Sequence, residues 1–479
     1  MKKRLFPAAA LCILLLFPAA FPAGAFLIPC QYNETFTGEL KYKYDRLREL
    51  PGKRIILVGG SAAAFGVDSG LLEDAFEGYT AVNFGMYAAL GTKVMLDLCE
   101  PHLHEGDLVI LMPEQNSQTL SLYFDGSAAW QAFDGAFGML RHIRPENFGS
   151  LIQALPSFSL EKLRAYLSGS PIRPDSIYRR ASFDEYGDIL DGLCTENILP
   201  ALYDQSLEVS FDESLMTDSF SACLNRFAAR AEKKGARVWY HFCPVNRLSI
   251  VDGSDPEIFY AALQKKLTFP VSGDPRDCLM EEGWFYDTNF HLNAAGRQAF
   301  TTLLIRDIKA MQLDTSPTDI PALPMPVPRF TFDPDTLKNA IPQVSADGTF
   351  EYIAMDDQAV LTRYLPEGDP NGPAEILVPE SFGGLPLTIV SSGAFSGNKM
   401  LRRIILPLSI RCIENDAFDG CSRLREIVLS SPSPSACVVG NGLLTGTDAD
   451  LAVPGEALSG YRTDYRFSAY AERIVGSSS

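Results

Sequence analysis

Histidine and positive charge are both scarce in this 479-residue chain: five histidines, and 41 lysines and arginines against 59 aspartates and glutamates, for a formal charge of -18. Such an acidic surface repels phosphate backbones, which excludes nucleic acid as a partner. The ten cysteines contain no Cys-x-x-Cys pair, and none stands at zinc-ligand spacing from a histidine. Neither a disulfide framework nor a structural metal is therefore indicated. Cys99, Cys223 and Cys243 lie in apolar stretches, where a thiol packs as a small hydrophobe. A dinucleotide fingerprint is missing too, because Gly66 is out of register and no Gly-x-Gly precedes it. Ala63 stands where a Gly-x-Ser-x-Gly nucleophile elbow needs glycine. Apolar side chains are plentiful, at 46% hydrophobic and 11% aromatic. That is enough for two or three cores of ordinary domain size.

Lys2, Lys3 and Arg4 precede a stretch without a charged residue until Glu34, the pattern of a segment delivered to a membrane with its basic end kept inside. Residues 1–33 are read as a signal peptide or a membrane anchor. Ala8 to Phe17 has signal-core length and Ala23-Gly24-Ala25 offers a small-residue cleavage site, whereas the whole apolar stretch is long enough to span a bilayer. Either outcome puts the chain outside the cytoplasm, secreted or membrane-anchored at the cell surface.

Residues 34–311 alternate helix and strand. Short apolar runs at Arg54–Val58, Ala81–Asn83, Asp107–Met112 and Val238–Phe242 have the length and composition of buried parallel strands. Helical periodicity lies between them: Leu72 and Phe76, then Leu90, Val94 and Leu98, then Phe220, Leu224 and Phe227. The alternation predicts an α/β domain with a doubly wound, mostly parallel, three-layer sheet. An irregular, aromatic-rich and proline-rich stretch at about 119–216 is read as an insertion after the third strand. His241 is read as a core histidine, and His102, His104 and His142 as surface residues.

Pro317, Pro321, Pro324, Pro326 and Pro328 predict a stiff extended linker over 312–345. Beyond it, Val390, Ala394, Phe395, Gly397, Leu401, Ile404 and Leu406 recur 23 positions later as Ile413, Ala417, Phe418, Gly420, Leu424, Ile427 and Leu429. One such unit cannot bury its apolar face alone, so residues 346–479 are expected to stack strand upon strand into a β-rich repeat domain. The motif, Gly-Ala-Phe-Ser-Gly-Asn-Lys-Met-Leu and then Asp-Ala-Phe-Asp-Gly-Cys-Ser-Arg-Leu, resembles the BspA-type leucine-rich repeat of bacterial surface proteins. That resemblance implies a protein or glycan ligand for the repeats.

The chemistry-bearing residues are in the α/β region. Ser61 follows the first strand after two glycines, at the start of a helix, where backbone N–H groups can stabilise an oxyanion. Tyr286-Asp287-Thr-Asn-Phe-His291 precedes the last helix of the domain, and the chain order of Ser, Asp and His fits a serine nucleophile with a late acid–base pair. Here the sequence resembles the SGNH (GDSL-like) hydrolases, in particular membrane-associated bacterial members. Gly59-Gly60-Ser61 stands where that family has Gly-Asp-Ser. Gly85 falls in the second family block, and Pro113-Glu-Gln115-Asn116 where the third has Gly-x-Asn-Asp. The family separates its Asp and His by two residues; here Thr288, Asn289 and Phe290 intervene.

The resemblance implies Ser61 as nucleophile, His291 as base, Asp287 as its orienter, and the Ser61 N–H and Gly85 with Gln115 or Asn116 as oxyanion donors. No metal or other cofactor is called for. The implied activity is that of an esterase or O-acyltransferase acting on acylated envelope or extracellular glycans or on small esters. The alternative is a non-catalytic surface protein that binds through its repeats and carries a degenerate hydrolase domain.

Overall fold

The computed structural model describes residues 21–169, 172, 177–330, 340–355, 357–365, 374–440, 442–444, 446–464 and 467–477. The candidate signal core Ala8 to Phe17 lies outside them. The chain divides into two compact units, one of residues 1–173 and 179–331, the other of residues 174–178 and 332–479.

In the first unit, helix α1 (Leu40–Glu49) buries Leu40, Tyr44 and Leu47 and stops before Pro51. Five parallel strands follow: β1 (Lys53–Gly59), β2 (Tyr79–Asn83), β3 (Leu108–Met112), β4 (Arg237–His241) and the edge strand β5 (Val271–Ser272). Their order across the sheet is β2-β1-β3-β4-β5. This doubly wound order reverses direction between β1 and β3, and the crevice at their carboxyl ends is where such sheets place ligands. Ile55–Val58 and Leu108–Met112 are wholly buried, which explains why both run apolar without alternation.

Between these strands lie helices α2 (Ser61–Gly66), α3 (Ser69–Ala75), α4 (Thr92–Cys99) and, after β3, α5 (Gly126–Phe133), α6 (Phe148–Ser168) and α7 (Asp218–Glu232). Helix α8 (Pro256–Lys266) and the long α9 (Ala294–Met311) complete the unit. Contacts sort several of them into two sets, with α2 and α3 against α9, and α1 against α4. Arg54 and Asp107, both fully buried and 2.6 Å apart, tie the entry ends of β1 and β3 together.

The proline-rich stretch carries no helix or strand over 314–328, and up to residue 331 it belongs to the first unit rather than bridging free of it. The Arg329 guanidinium pairs with Glu196 at 2.6 Å, the Leu323 N–H reaches Gln298 Oε1 at 3.0 Å, and Phe330 is buried. Proline forbids the ladder but leaves these side-chain and single amide contacts open.

In the second unit, β8 (Glu375–Leu377), β10 (Arg403–Leu406), β12 (Glu426–Leu429), β14 (Asp450–Val453) and β15 (Ile474–Gly476) form one parallel ladder. Arg403 pairs with Glu426, so the 23-residue offset is one turn of the stack. A second sheet carries β6 (Phe350–Ala354), β7 (Ala359–Tyr364), β9 (Leu385–Val390), β11 (Cys412–Ile413) and β13 (Val438–Val439). Phe395 and Phe418 stack between turns with centroids 5.3 Å apart, and Tyr364 continues the column at 5.6 Å from Phe395. The ladder therefore extends on both sides of the two units that share the motif. Seven of the nine described cysteines are buried.

Candidate active site

Ser61 opens α2 two residues beyond the end of β1. Gly59 and Gly60 are there for close approach rather than for a left-handed turn: Gly60 has φ -83° and ψ -160°, which any residue adopts. A Cβ on Gly59 would collide with the Met112 carbonyl, and one on Gly60 would stand 2.5 Å from Glu114 Oε1. Each glycine therefore leaves room for the chain leaving β3.

The loop before α9 brings its histidine back to this point. His291 Nε2 lies 2.7 Å from Ser61 Oγ and His291 Nδ1 lies 2.8 Å from Asp287 Oδ1. The extra residue between Asp287 and His291 is absorbed by a turn in which Thr288 Oγ1 accepts the Phe290 and His291 N–H groups at 3.2 and 3.1 Å. Asn289 points away from the histidine. Its side chain donates to the carbonyls of Asp204 and Leu207 and accepts the Asp204 N–H, pinning the loop to the insertion. Phe65, one turn along α2 from Ser61, stacks flat on the imidazole, with centroids 3.9 Å apart and planes 4° from parallel. Arg297 of α9 closes the far end of α2 by donating to the Phe65 carbonyl at 3.1 Å. Ser61 and His291 are 7% and 5% exposed, so their contact is shielded from competing water.

The expected oxyanion donors are arranged differently. The Gly85 N–H is given to Asn83 Oδ1 at 3.0 Å. Gln115 Nε2 donates to the Ser210 carbonyl at 3.0 Å, away from Ser61. Asn116 directs its amide at Glu114 Oε2 at 3.4 Å, while its oxygen accepts the Gln118 and Thr119 N–H groups and folds its own turn. The group beside the serine is instead Glu114, which the sequence reading passed over. Glu114 Oε1 accepts the Ala62 N–H at 2.9 Å and the Ser61 hydroxyl at 3.1 Å. One sign of it was present in the sequence: Gly60 stands where the resembled pattern Gly-Asp-Ser has Asp, and its missing Cβ makes space for the Glu114 carboxylate.

No family model matches the chain, and no curated protein matches it. Among solved structures it is similar to a leucine-rich cell surface protein from Faecalibacterium prausnitzii, at 21% identity and a TM-score of 0.20, over 24% of this chain and 31% of that one. A leucine-rich repeat protein of T. pallidum matches at 24% identity and 0.16, over 25% and 63% of the two chains. One from Bacteroides capillosus matches at 16% identity and 0.17, over 22% and 96%. The structural neighbours are leucine-rich-repeat proteins of bacteria. The chain spans less than two thirds of the length of the first two.

Ser61 has a single hydroxyl proton and two acceptors within reach. Directed to His291, the proton leaves the oxygen poised as a nucleophile with an imidazole to receive it. Directed to Glu114, it turns the hydroxyl from the base. A cavity of about 260 Å³ bounded by Glu39, Lys43, Arg180 and Tyr186 includes none of these residues among its lining. Among the described residues, no group of three His, Cys, Asp or Glu side chains is placed to hold a metal ion.

Proposed function

We propose that the α/β unit is a serine-dependent acyl hydrolase or acyltransferase of SGNH type, acting on O-acyl groups of extracytoplasmic glycans or on small esters. The observation that carries this reading is the unbroken relay Asp287–His291–Ser61, with 2.8 and 2.7 Å links, at the switch point of a doubly wound sheet.

Ser61 Oγ attacks the acyl carbonyl as its proton passes to His291 Nε2. Asp287, on Nδ1, holds the ring in the tautomer that accepts and steadies the imidazolium. The tetrahedral intermediate collapses when His291 returns the proton to the leaving alkoxide, and an acyl-Ser61 ester remains. Water or a sugar hydroxyl, deprotonated by His291, then takes the acyl group and restores Ser61. The Ala62 N–H directly follows the nucleophile in the chain, and Glu114 must release it before it can serve a substrate oxygen.

A second reading, a binding protein with a silent α/β unit, is favoured by one observation: a carboxylate occupies that amide and the Gly85 N–H is spent on Asn83. Treating the full chain and its Ser61→Ala variant with a fluorophosphonate probe and a short-chain aryl ester separates the two. Labelling and turnover that vanish in Ser61→Ala are expected. Labelling that persists in the variant, or neither signal in the unmodified chain, would favour the binding protein.

A further inference from the structure

Helix α6 divides its circumference into three sectors. Leu151, Phe158, Ser159 and Lys162 are buried. Gln153, Ser157, Glu161, Arg164 and Ser168 make an exposed polar face. Between the two lie Phe148, Ile152, Leu160, Leu163, Tyr166 and Leu167, all exposed, with Ile152 at 68% and Leu167 at 73%. At 3.6 residues per turn these six fall within about a third of the helix surface, and no charged residue interrupts them. Contiguous apolar stripes of this kind mark a surface that meets something other than water.

What it meets is indicated by the chain that runs beside it. Residues 21–27 are helical and lie within the uncharged N-terminal stretch. Ser159 Oγ donates to the Phe21 carbonyl at 2.7 Å. The fully buried Lys162 ammonium donates to the Ala25 carbonyl at 2.7 Å and pairs with Asp134 at 2.6 Å. Phe26 and Leu27 then emerge exposed, Leu27 at 81%. Cleavage after Ala25 would release a segment that supplies one of the acceptors of a buried ammonium, a costly loss. Upstream of Phe21 the sequence offers uncharged residues back to Leu5, preceded by Lys2, Lys3 and Arg4.

We propose that this N-terminal segment is retained as a bilayer anchor and that the apolar sector of α6, with Phe26 and Leu27, rests in the interface of the same bilayer, covered by lipid acyl chains. The anchor reaches the folded unit on α6 itself, so the stripe lies where the membrane must be. The polar sector then faces water, the arrangement of an interfacial amphipathic helix. The attraction is apolar, so the acidity of the whole chain does not oppose it on a zwitterionic surface.

The test uses the full chain, purified from membranes and reconstituted in phosphatidylcholine vesicles whose acyl chains carry a diazirine. After photolysis, intact-mass and peptide mapping are expected to show residues before Ala25 still present and lipid adducts on Phe26, Leu27 and the 148–168 peptides. The variant Ile152→Glu/Leu163→Glu, altered only at exposed positions, is expected to float with the vesicles but to lose at least tenfold in adducts on α6. A mature chain starting at Phe26 would overturn the proposal. So would an anchored chain without adducts on α6, adduct yields unchanged in the variant, or cross-links between copies at α6 in place of lipid.

Discussion

Glu114 holds the position that decides how the proposed chemistry runs. Its Oε1 accepts from both the Ser61 hydroxyl and the Ala62 amide, where negative charge would develop on an attacked carbonyl. A fixed carboxylate there opposes a second negative oxygen, whereas an amide of the same shape does not. Glu114→Gln is therefore expected to raise kcat/KM for a short aryl ester by about tenfold, which corresponds to ~1.4 kcal/mol. A fall of similar size would mean that the carboxylate acts on the reacting atoms. Another residue-scale prediction concerns His102, whose Nε2 lies 2.8 Å from the Tyr44 hydroxyl. Burial, followed by the neighbouring His142, holds its imidazole down at about 4 against an ordinary 6.5. A lowered value means that the fold favours the neutral ring. Its contribution to stability is present above pH 6.5 and is lost as the pH falls through about 4. With five histidines in the chain, selectively labelled NMR can follow each ring, and a His102 midpoint near 6.5 would refute this assignment.

At the scale of elements, the two units are held by different devices. The α/β unit depends on long apolar strands, and its loops lean on side-chain networks such as the one through Asn289. In the repeat unit a column of rings, Tyr364, Phe395 and Phe418, fills the space between turns. Phe418 is fully buried between Phe395 and the next turn of the ladder, so Phe418→Ala removes a stacked ring that the surrounding strands cannot collapse to replace. A loss of about 3–5 kcal/mol is expected, read as an earlier denaturant transition of the repeat unit with ester turnover unchanged. Much of this scale was legible in the sequence. Short apolar runs located the strands of the sheet, period-3.6 patterns located its helices, and the 23-residue self-similarity located β10 and β12. The outer rungs β8, β14 and β15 match the motif only loosely because their turns differ in length and residues, and the register of the ladder makes them part of the same stack.

For the whole molecule, Ser61, Asp287, His291 and Glu114, with every hydrogen bond among them, belong to the first unit. A chain ending at Thr331 keeps that unit and its proline-rich strap intact. It is expected to fold and to turn over the aryl ester within about twofold of the full chain, on the proposed function. Loss of folding on truncation, seen as a collapse of the circular dichroism signal, would show that the repeats are needed for its stability. Mean hydropathy is near zero at +0.02, and no helix among the described residues is long and apolar enough to cross a membrane. Six exposed large apolar side chains are gathered on one face of α6, which an average over the chain conceals.

Local order in the chain determined the sheet strands, the repeat period and the candidates Ser61, Asp287 and His291, because strand ends and short loops are properties of neighbouring residues. Tertiary structure alone decided who meets whom. It brought residues 230 apart in the chain to 2.7 Å, set Glu114 in the space left by the absent Cβ of Gly60, and turned the Gly85 amide to Asn83. It also seated residues 21–27 on α6. Each of these depends on the paths of two distant segments through the same few ångströms, which no pattern within either segment records.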